Sequence, residues 1–411
     1  MGELVVAIDI GTSKICALCG RLNKAGHLDV LTKSVVPCGG VKKGTIVDIE
    51  TVADAITDAV RQIETTAGIK VGSAYINVMG LHTQVFTNRS MIVNTNPDRE
   101  IQKKDVERLM FEIGNVDVQE DTEIIDVIPR QYIIDGYGGI SEPIGMIGVN
   151  LELEADIVIG KRTAIANIVR CIEFAGIKID GLVISSQALS EVVLTPEEME
   201  MGVILIDIGG SITDVSVFRN GKLVFYESIL VGGDHISNDI SIGMKVSYNE
   251  ADKIKREYEL CLESLINKDQ LLTVNDINDN SKKNVNISDV IRIIEARVFE
   301  IFTLCKKLLD DSHLNYDFGP GIVLTGGGIV YFDGNKQLAN EVFGLPIKVH
   351  PMRIYGSQKV ETLLAEGIVK HVCRTGKGTK YSSQVTIVKS REINAEGSFL
   401  HRFIALLKRI F

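Results

Sequence analysis

Two short stretches 198 residues apart share one design, and together they restrict the fold more than any other feature of the chain. Asp207-Ile-Gly-Gly-Ser-Ile-Thr-Asp214 follows the apolar run Gly202-Val-Ile-Leu-Ile206 and precedes Val215-Ser-Val-Phe218 and then Asn220-Gly221. Asp9-Ile-Gly-Thr-Ser-Lys14 likewise ends an apolar run, one that begins at Leu4. The runs predict buried strands, and Asn-Gly is a strong hairpin signal. Strand, acidic residue, glycine- and hydroxyl-rich turn and returning strand make a phosphate cradle. Glycines let backbone N–H groups approach an anion, hydroxyls add donors, and carboxylates can hold a cation through water. A second copy predicts two related α/β domains whose turns face one cleft, and 411 residues are too many for one ordinary core.

The rest of the chain fits around these turns. Leu4–Ile10, Ile15–Arg21 and His27–Val36 predict three strands, Ile49–Ala67 a helix and Ser73–Met79 another strand. Residues 84–162 read as an insertion, with a helix at Ile101–Ile113 and strands near Glu123–Ile128, Gln131–Asp135 and Gly148–Ile159 around a loop at Gly136–Gly145. Nothing in the insertion has the spacing of a catalytic site, so packing or protein contacts are expected of it. A helix at Thr163–Ala175, a strand at Ile177–Ile184 and a helix at Ala188–Leu194 lead to Thr195-Pro196, where proline disfavours further helix.

The second half repeats the opening strands. Gly232-Gly233-Asp234 then stands before a helix at His235–Ile242, a position suited to an anion or ribose because helix N-terminal N–H groups lack internal partners. Asn249–Leu265 reads as a helix. By spacing alone, Asp252 and Lys255 on it form a surface ion pair worth a few tenths of a kcal/mol. Residues 267–289 are rich in Asn, Asp and Lys and predict a loop, followed by a helix at Asp289–Leu309 that carries Arg292 and Arg297. Gly321-Ile-Val-Leu324 runs into Thr325-Gly326-Gly327-Gly328, which either lies flat against a ligand or makes a tight strand-to-helix turn. A strand at Ile347–His350 and a helix at Lys359–Val372 close the folded body.

Charge separates this body from its tail. The chain carries a net −10, but residues 374–411 hold eight Lys/Arg against Glu392 and Glu396, so the tail is +6 and the body −16. An acidic body argues against nucleic acid as a partner, and a basic tail favours an anionic surface. Arg374–Arg391 reads as a flexible basic linker. Beyond it, Phe399, Leu400, Phe403, Ile404, Leu406, Leu407, Ile410 and Phe411 fall within a roughly 160° arc at helical periodicity, opposite His401, Arg402, Lys408 and Arg409. Such a helix is too short to span a bilayer but suits the interface with anionic lipid. Seven scattered cysteines and no leader before the first strand point to a reducing cytoplasm. Cys16-x-x-Cys19 lies in a strand, where i and i+3 point to opposite faces, so a structural role is expected.

Three glycine turns in this order resemble the phosphate-1, phosphate-2 and adenosine signatures of the actin/Hsp70/sugar-kinase superfamily, over residues 4–372. Within it the chain is most similar to the FtsA family of bacterial cell-division proteins. The carrying features are Gly145-Met146-x-Gly148-x-x-Leu151-Glu152, Gly232-Gly233-Asp-His-Ile-x-Asn-Asp-Ile240 and Ile294-Glu295-Ala-Arg297, with the inserted unit and the terminal amphipathic helix. The resemblance implies an α/β, actin-like two-lobed fold of duplicated β-β-β-α-β-α domains, with an inserted α+β subdomain replacing the usual actin insert. It implies ATP with Mg between the lobes, and Asp9 and Asp207 orienting the metal through water. Gly11, Thr12, Ser13, Lys14, Gly209, Gly210 and Ser211 would cradle phosphates. Gly233 and Asp234 would lie by the ribose, Asp252 and Lys255 by the adenosine, and Gly326, Gly327 and Gly328 against the nucleotide.

The family further implies a protein that polymerises with itself at the cytoplasmic side of the cell membrane, at the division septum. Its partners would be the C-terminal peptide of FtsZ, met by Arg297 and Arg292, and later division proteins recruited through the insertion. Superfamily ATPases place a Glu or Gln to position water where this chain has Ser185, with Gln187 and Glu191 beyond, so tight binding and slow or absent hydrolysis are expected rather than enzymatic turnover. A turnover above about 1 s⁻¹ would contradict this. A pilus-assembly actin homologue and, further off, a small-molecule kinase are the competing readings. The expected division is 1–83 with 163–193 and 359–373 as the first lobe, and 84–162 as the insertion. The second lobe is 194–245 with 316–358, its small subdomain 246–315, the linker 374–396 and the membrane helix 397–411.

Overall fold

The computed structural model describes residues 3–266, 270–279, 281–315, 318–350 and 360–375. The expected linker beyond residue 375 and the expected membrane helix at 397–411 lie outside the described residues. The first lobe opens with strands β1 (Val5–Ile10), β2 (Lys14–Leu22) and β3 (Leu28–Pro37), a two-strand hairpin β4 (Val41–Lys42) and β5 (Thr45–Ile46), helix α1 (Ile49–Ala67) and strand β6 (Ser73–Val78). Asp48 caps α1, accepting from Thr51 N, and Gly68 in the left-handed region ends it.

The insertion follows as β7 (Thr83–Val93), α2 (Lys103–Gly114), β8 (Thr122–Ile134), β9 (Tyr137–Ile140) and β10 (Asn150–Lys161). Helix α3 (Arg162–Phe174), strand β11 (Lys178–Ile184) and helix α4 (Ser185–Val193) return to the first lobe. The second lobe contains α5 (Pro196–Met201), β12 (Val203–Ile208), β13 (Thr213–Arg219), β14 (Lys222–Ile229), α6 (Gly233–Met244), α7 (Tyr248–Tyr258), β15 (Leu271–Asn275), β16 (Lys282–Asn286), α8 (Ile287–Asp311), β17 (Ile322–Thr325), α9 (Asn335–Phe343) and β18 (Ile347–Val349). Helix α10 (Leu363–Thr375) crosses back.

The duplication read from the turns is carried by the sheets. The first lobe orders its strands β3-β2-β1-β6-β11 and the second β14-β13-β12-β17-β18. In each, three antiparallel strands are extended by two parallel ones. Asp9 pairs in register with Cys16, and Asp207 with Asp214, so the two acidic turns close equivalent hairpins. Both cysteines of Cys16-x-x-Cys19 are buried, one in the cluster under α10 and the other in that under α1, on opposite faces of one sheet. The lobes are joined where α4 leaves and α10 returns. A Cβ at Gly367 would lie 2.0 Å from the Ala188 carbonyl oxygen, so only glycine lets these two helices approach so closely.

Several elements depart from the sequence-based reading, each for a local reason. The segment expected as a loop at 267–289 holds the β15–β16 hairpin. Its polar composition hides it, but Val274 is buried in the second-lobe core and Lys283 pairs with Asp276 at the turn. Helix α7 stops at Tyr258 because Glu259 takes a left-handed conformation; the apolar spacing beyond it belongs to Cys261, whose N–H bonds the Asp333 carbonyl. Pro196 ends one helix and begins the next: Thr195 and Glu198 form a capping box, with proline at the first turn. The two strands expected at 123–135 are one, β8, whose Pro129 is absorbed by a bulge that leaves Arg130 out of the β10 ladder. The loop at 136–145 contains β9, and β7 and α9 had no counterpart in the sequence reading.

Candidate functional site: a cleft of facing glycine turns

Both acidic turns lie at the ends of central strands, where the β1–β2 and β12–β13 hairpins close. Gly11 N donates to Lys14 O at 3.0 Å, and Gly209 N to Ile212 O at 2.9 Å, the same closure in each lobe. The turns meet across the cleft: a Cβ at Gly210 would be 3.0 Å from Thr12 Oγ1 and 2.9 Å from Asp234 Oδ2. The other glycines stack on the second turn. Gly233 N donates to Gly209 O, Asp234 N to Gly210 O and Gly328 N to Ile208 O, at 2.9, 2.7 and 2.8 Å. A Cβ at Gly233 would lie 2.7 Å from Gly328 Cα, and one at Gly328 2.6 Å from Gly209 O. At Gly326 the backbone is also left-handed, φ 101°. Three segments distant in sequence are thus packed backbone against backbone, which side chains would prevent.

The electrostatics of this floor are acidic. Burial pushes the Asp9 carboxyl up to about 6, with Lys14 opposing. Asp207 is pushed up to about 7, by burial first and then by the charges of Asp214 and Asp9. Asp214, also raised to about 6 by burial, accepts from Tyr226 OH at 3.1 Å and from Ser228 Oγ. Carboxylates held together at such cost favour a cation beside them. Among the described residues no three His, Cys, Asp or Glu converge to hold a metal directly. Around the floor, the Ser211 and Thr325 hydroxyls are buried with no hydrogen-bond partner among the described residues, so these turns have donors to spare for an anion.

Helices α6 and α7 build the adjoining wall. Lys255, which spacing alone placed on a surface, is buried: its Nζ donates to Gly233 O and to Asp252 Oδ1, both at 2.9 Å. Asp252 also accepts from Ser237 Oγ at 2.8 Å and Arg256 Nε at 2.7 Å. Burial alone would raise the Asp252 carboxyl, but the bonds from Arg256 and Lys255 outweigh it and bring it down to about 2. Tyr248 faces Asp234 and Asp252, and the buried Tyr331 hydroxyl, without a hydrogen-bond partner among the described residues, feels Arg256 and Asp252.

The structure therefore brings together Asp9, Thr12, Asp207, Gly209, Gly210, Gly233, Asp234, Asp252, Lys255 and the glycines after Thr325. Lys14 Nζ, at the edge, donates to Glu361 O at 2.6 Å. Arg292 and Arg297 lie apart, on α8. Arg297 forks onto Asp239 of α6 (Nη2 to Oδ1, 3.0 Å) and also meets Glu300, while Arg292 pairs with Glu263 and Asp289. Sequence reasoning missed Asn77, whose amide oxygen accepts from Ile10 N at 2.7 Å and steadies the first turn. It also missed Tyr226, Ser228, Tyr248 and Tyr331, because no spacing links them to the turns. Asp214 stands inside the second motif and was legible there. Ser185 is buried, donating to Val78 O at 3.1 Å, and Glu191 is committed to His371 and Arg374.

Comparison with known proteins converges on one family. A profile described as "Cell division protein FtsA" matches residues 204–371, and one described as "SHS2 domain inserted in FTSA" matches residues 80–159. "Cell division protein FtsA" of Bacillus subtilis is 33% identical over 375 residues, covering 91% of this chain and 84% of that one. Among solved structures, MreB 5 of Spiroplasma citri bound to AMPPNP matches with TM-score 0.55 and 15% identity over 91% of this chain and 97% of the other. A PilM-PilN type IV pilus biogenesis complex matches with TM-score 0.58 and 14% identity over 91% and 98%. At such identities the likeness is of fold: actin-like and two-lobed, here with an inserted subdomain.

Proposed function

As this chain belongs to the FtsA family of cell-division proteins, we propose that it binds ATP between its lobes and polymerises at the cytoplasmic face of the cell membrane. There it ties FtsZ filaments to the septal membrane. The observation that carries the nucleotide part is the three-way packing of glycine turns, so close that an added Cβ would lie 2.6–3.0 Å from its neighbours, beneath two buried hydroxyls with no hydrogen-bond partner among the described residues. Thr12, Ser13, Lys14 and the Gly209–Ser211 turn would hold phosphates, Gly233 and Asp234 the ribose, and Asp252 and Lys255 the adenosine side. Mg would sit by Asp9 and Asp207 through water, and it would supply the positive charge that lets a polyphosphate approach these carboxylates.

The wall supports this reading because Lys255 braces the Gly233 carbonyl while the Gly233 and Asp234 N–H groups bond the second turn, which fixes the start of α6 beside the cleft. Ser185 in place of a water-positioning side chain supports binding with slow turnover. Arg297 and Arg292 on α8 would receive an acidic FtsZ peptide, the insertion would recruit later division proteins, and the amphipathic segment 397–411 would enter anionic lipid. Many weak anchors in one filament would give stable attachment.

The test is co-sedimentation of the full chain and FtsZ with anionic vesicles, with and without ATP and Mg. FtsZ should pellet only when this chain and vesicles are both present. FtsZ left in the supernatant under all conditions would overturn the tethering role.

A further inference from the structure

A crevice of about 600 Å³ separates the inserted sheet from the second lobe, away from the nucleotide cleft. One wall is Arg130, Gln131, Gly139 and Glu154 of β8, β9 and β10; the other is Arg219, Asn220, Lys222 and Val224 of the β13–β14 hairpin, with Leu314. That volume lies within the range of ligand sites, about 300–1,000 Å³. Two sheets end beside it: β9 is the last strand of the inserted sheet and β14 the last of the second-lobe sheet. Strand edges carry backbone donors and acceptors that an added extended chain can use.

The charge of the crevice is unusual for so acidic a molecule. The bulge in β8 takes Arg130 out of the ladder, and its carbonyl accepts from Lys222 Nζ at 2.7 Å across the gap. Lys222 has no carboxylate within 4.0 Å among the described residues. Burial and the neighbouring Arg130 charge lower its ammonium below the usual range, against the opposing charges of Asp156, Glu154 and Glu200 farther off. Arg219 stacks over Phe318, 4.8 Å to the ring centroid, and donates to Asn315 O, again with no carboxylate partner among the described residues. The one acid of the lining, Glu154, is taken up by Gln131 Nε2 at 3.2 Å and Arg130 at 3.9 Å. Arg130 is further satisfied by Asp156 at 2.8 Å. Among the described residues, two cations therefore face the crevice with no carboxylate in ion-pair contact, beside two strand edges.

We propose that this crevice binds an extended acidic peptide of a partner protein, its carboxylates on Lys222 and Arg219 and its backbone along the β9 or β14 edge. The site deepens the recruiting role proposed for the insertion by giving it a place and a chemistry. It needs neither ATP nor FtsZ.

The experiment uses the full chain without nucleotide and a fluorescein-labelled (Glu-Thr)₄ peptide, read by anisotropy, with (Gln-Thr)₄ as the neutral probe. The acidic peptide should bind at least tenfold tighter than the neutral one, and Arg219→Gln with Lys222→Gln should remove at least tenfold of that affinity. Lys103→Gln with Lys104→Gln, the same charge change on α2, should leave binding unaltered; an equal loss there would reduce the effect to net charge and overturn the site. Asn220→Asp, an exposed turn residue whose left-handed backbone (φ 52°) aspartate accepts, should weaken binding several-fold without disturbing the fold. Undiminished binding in both crevice variants would assign the peptide to the basic tail and refute the proposal. Displacement by free glutamate at equal carboxylate concentration would refute it too, leaving an anion site with no use for an extended chain. FtsZ co-sedimentation is a separate readout, so failure here leaves the tethering role standing, and failure there leaves the crevice standing.

Discussion

Replacing Lys255 with methionine separates a buried brace from a surface ion pair. Methionine keeps the volume of the aliphatic stem, so cavity formation contributes little. Two bonds of 2.9 Å are lost, to Gly233 O and to Asp252 Oδ1. The Gly233 carbonyl then loses a charged donor, and Asp252 keeps only Ser237 and Arg256, the latter 60% exposed. Breaking a buried charged contact of this kind costs about 3 kcal/mol, whereas an exposed i,i+3 pair is worth about 0.2–0.5 kcal/mol. Urea unfolding of wild type and Lys255→Met measures the difference, with Arg256→Gln as the exposed control, expected to cost under about 1 kcal/mol. A loss below about 0.5 kcal/mol for Lys255→Met would refute the reasoning.

The same substitution carries a pH signature. The Asp252 carboxyl is held at about 2, below its ordinary value, so its stabilisation is complete above about pH 4 and disappears as pH falls through about 2. Without Lys255 the folded value moves up, so the loss still begins near about pH 4 but is complete at a higher pH, with a smaller total. An acid-unfolding curve that does not shift would place the depression elsewhere.

Gly328→Ala puts a methyl 2.6 Å from the Gly209 carbonyl oxygen. It should reduce affinity for a fluorescent ATP analogue at least tenfold while costing about 1–3 kcal/mol of stability; unchanged affinity would take this turn out of the nucleotide site. Arg297→Glu breaks the fork onto Asp239 and should weaken binding of the FtsZ C-terminal peptide at least tenfold by titration calorimetry. Unchanged affinity would remove Arg297 from that site. Phe403→Glu with Leu407→Glu should release the chain from anionic vesicles while ATP-analogue binding stays intact, and persistent co-sedimentation would refute the anchor.

Much of this molecule is legible in its sequence because its defining turns are local. Asp9 to Lys14 and Asp207 to Asp214 each sit between apolar runs whose alternation and length predict strands, and the repeat of the motif predicts the repeat of the sheet. The opposite faces of Cys16 and Cys19 follow from strand periodicity alone. Where reading failed, the signal was non-local. The β15–β16 hairpin is polar because its strands are half exposed; Val274 is buried in the core, with Leu272 and Val285 partly buried against it. Helix α7 seemed longer because Cys261 continues the apolar spacing, yet that residue serves a contact with Asp333.

Sequence by itself determined the two-lobed duplication, the two acidic glycine turns and the family, since each rests on neighbours within a few positions along the chain. Tertiary structure alone decided that Gly233 and Gly328 touch, that Thr12 meets Gly210 across the cleft, and that Lys255 is buried rather than exposed. It also decided that Lys222 and Arg219 face a crevice with no carboxylate in ion-pair contact among the described residues. Burial and charge pairing depend on which distant segments the fold stacks together, and the spacing of residues along one helix or strand carries no record of what packs against it.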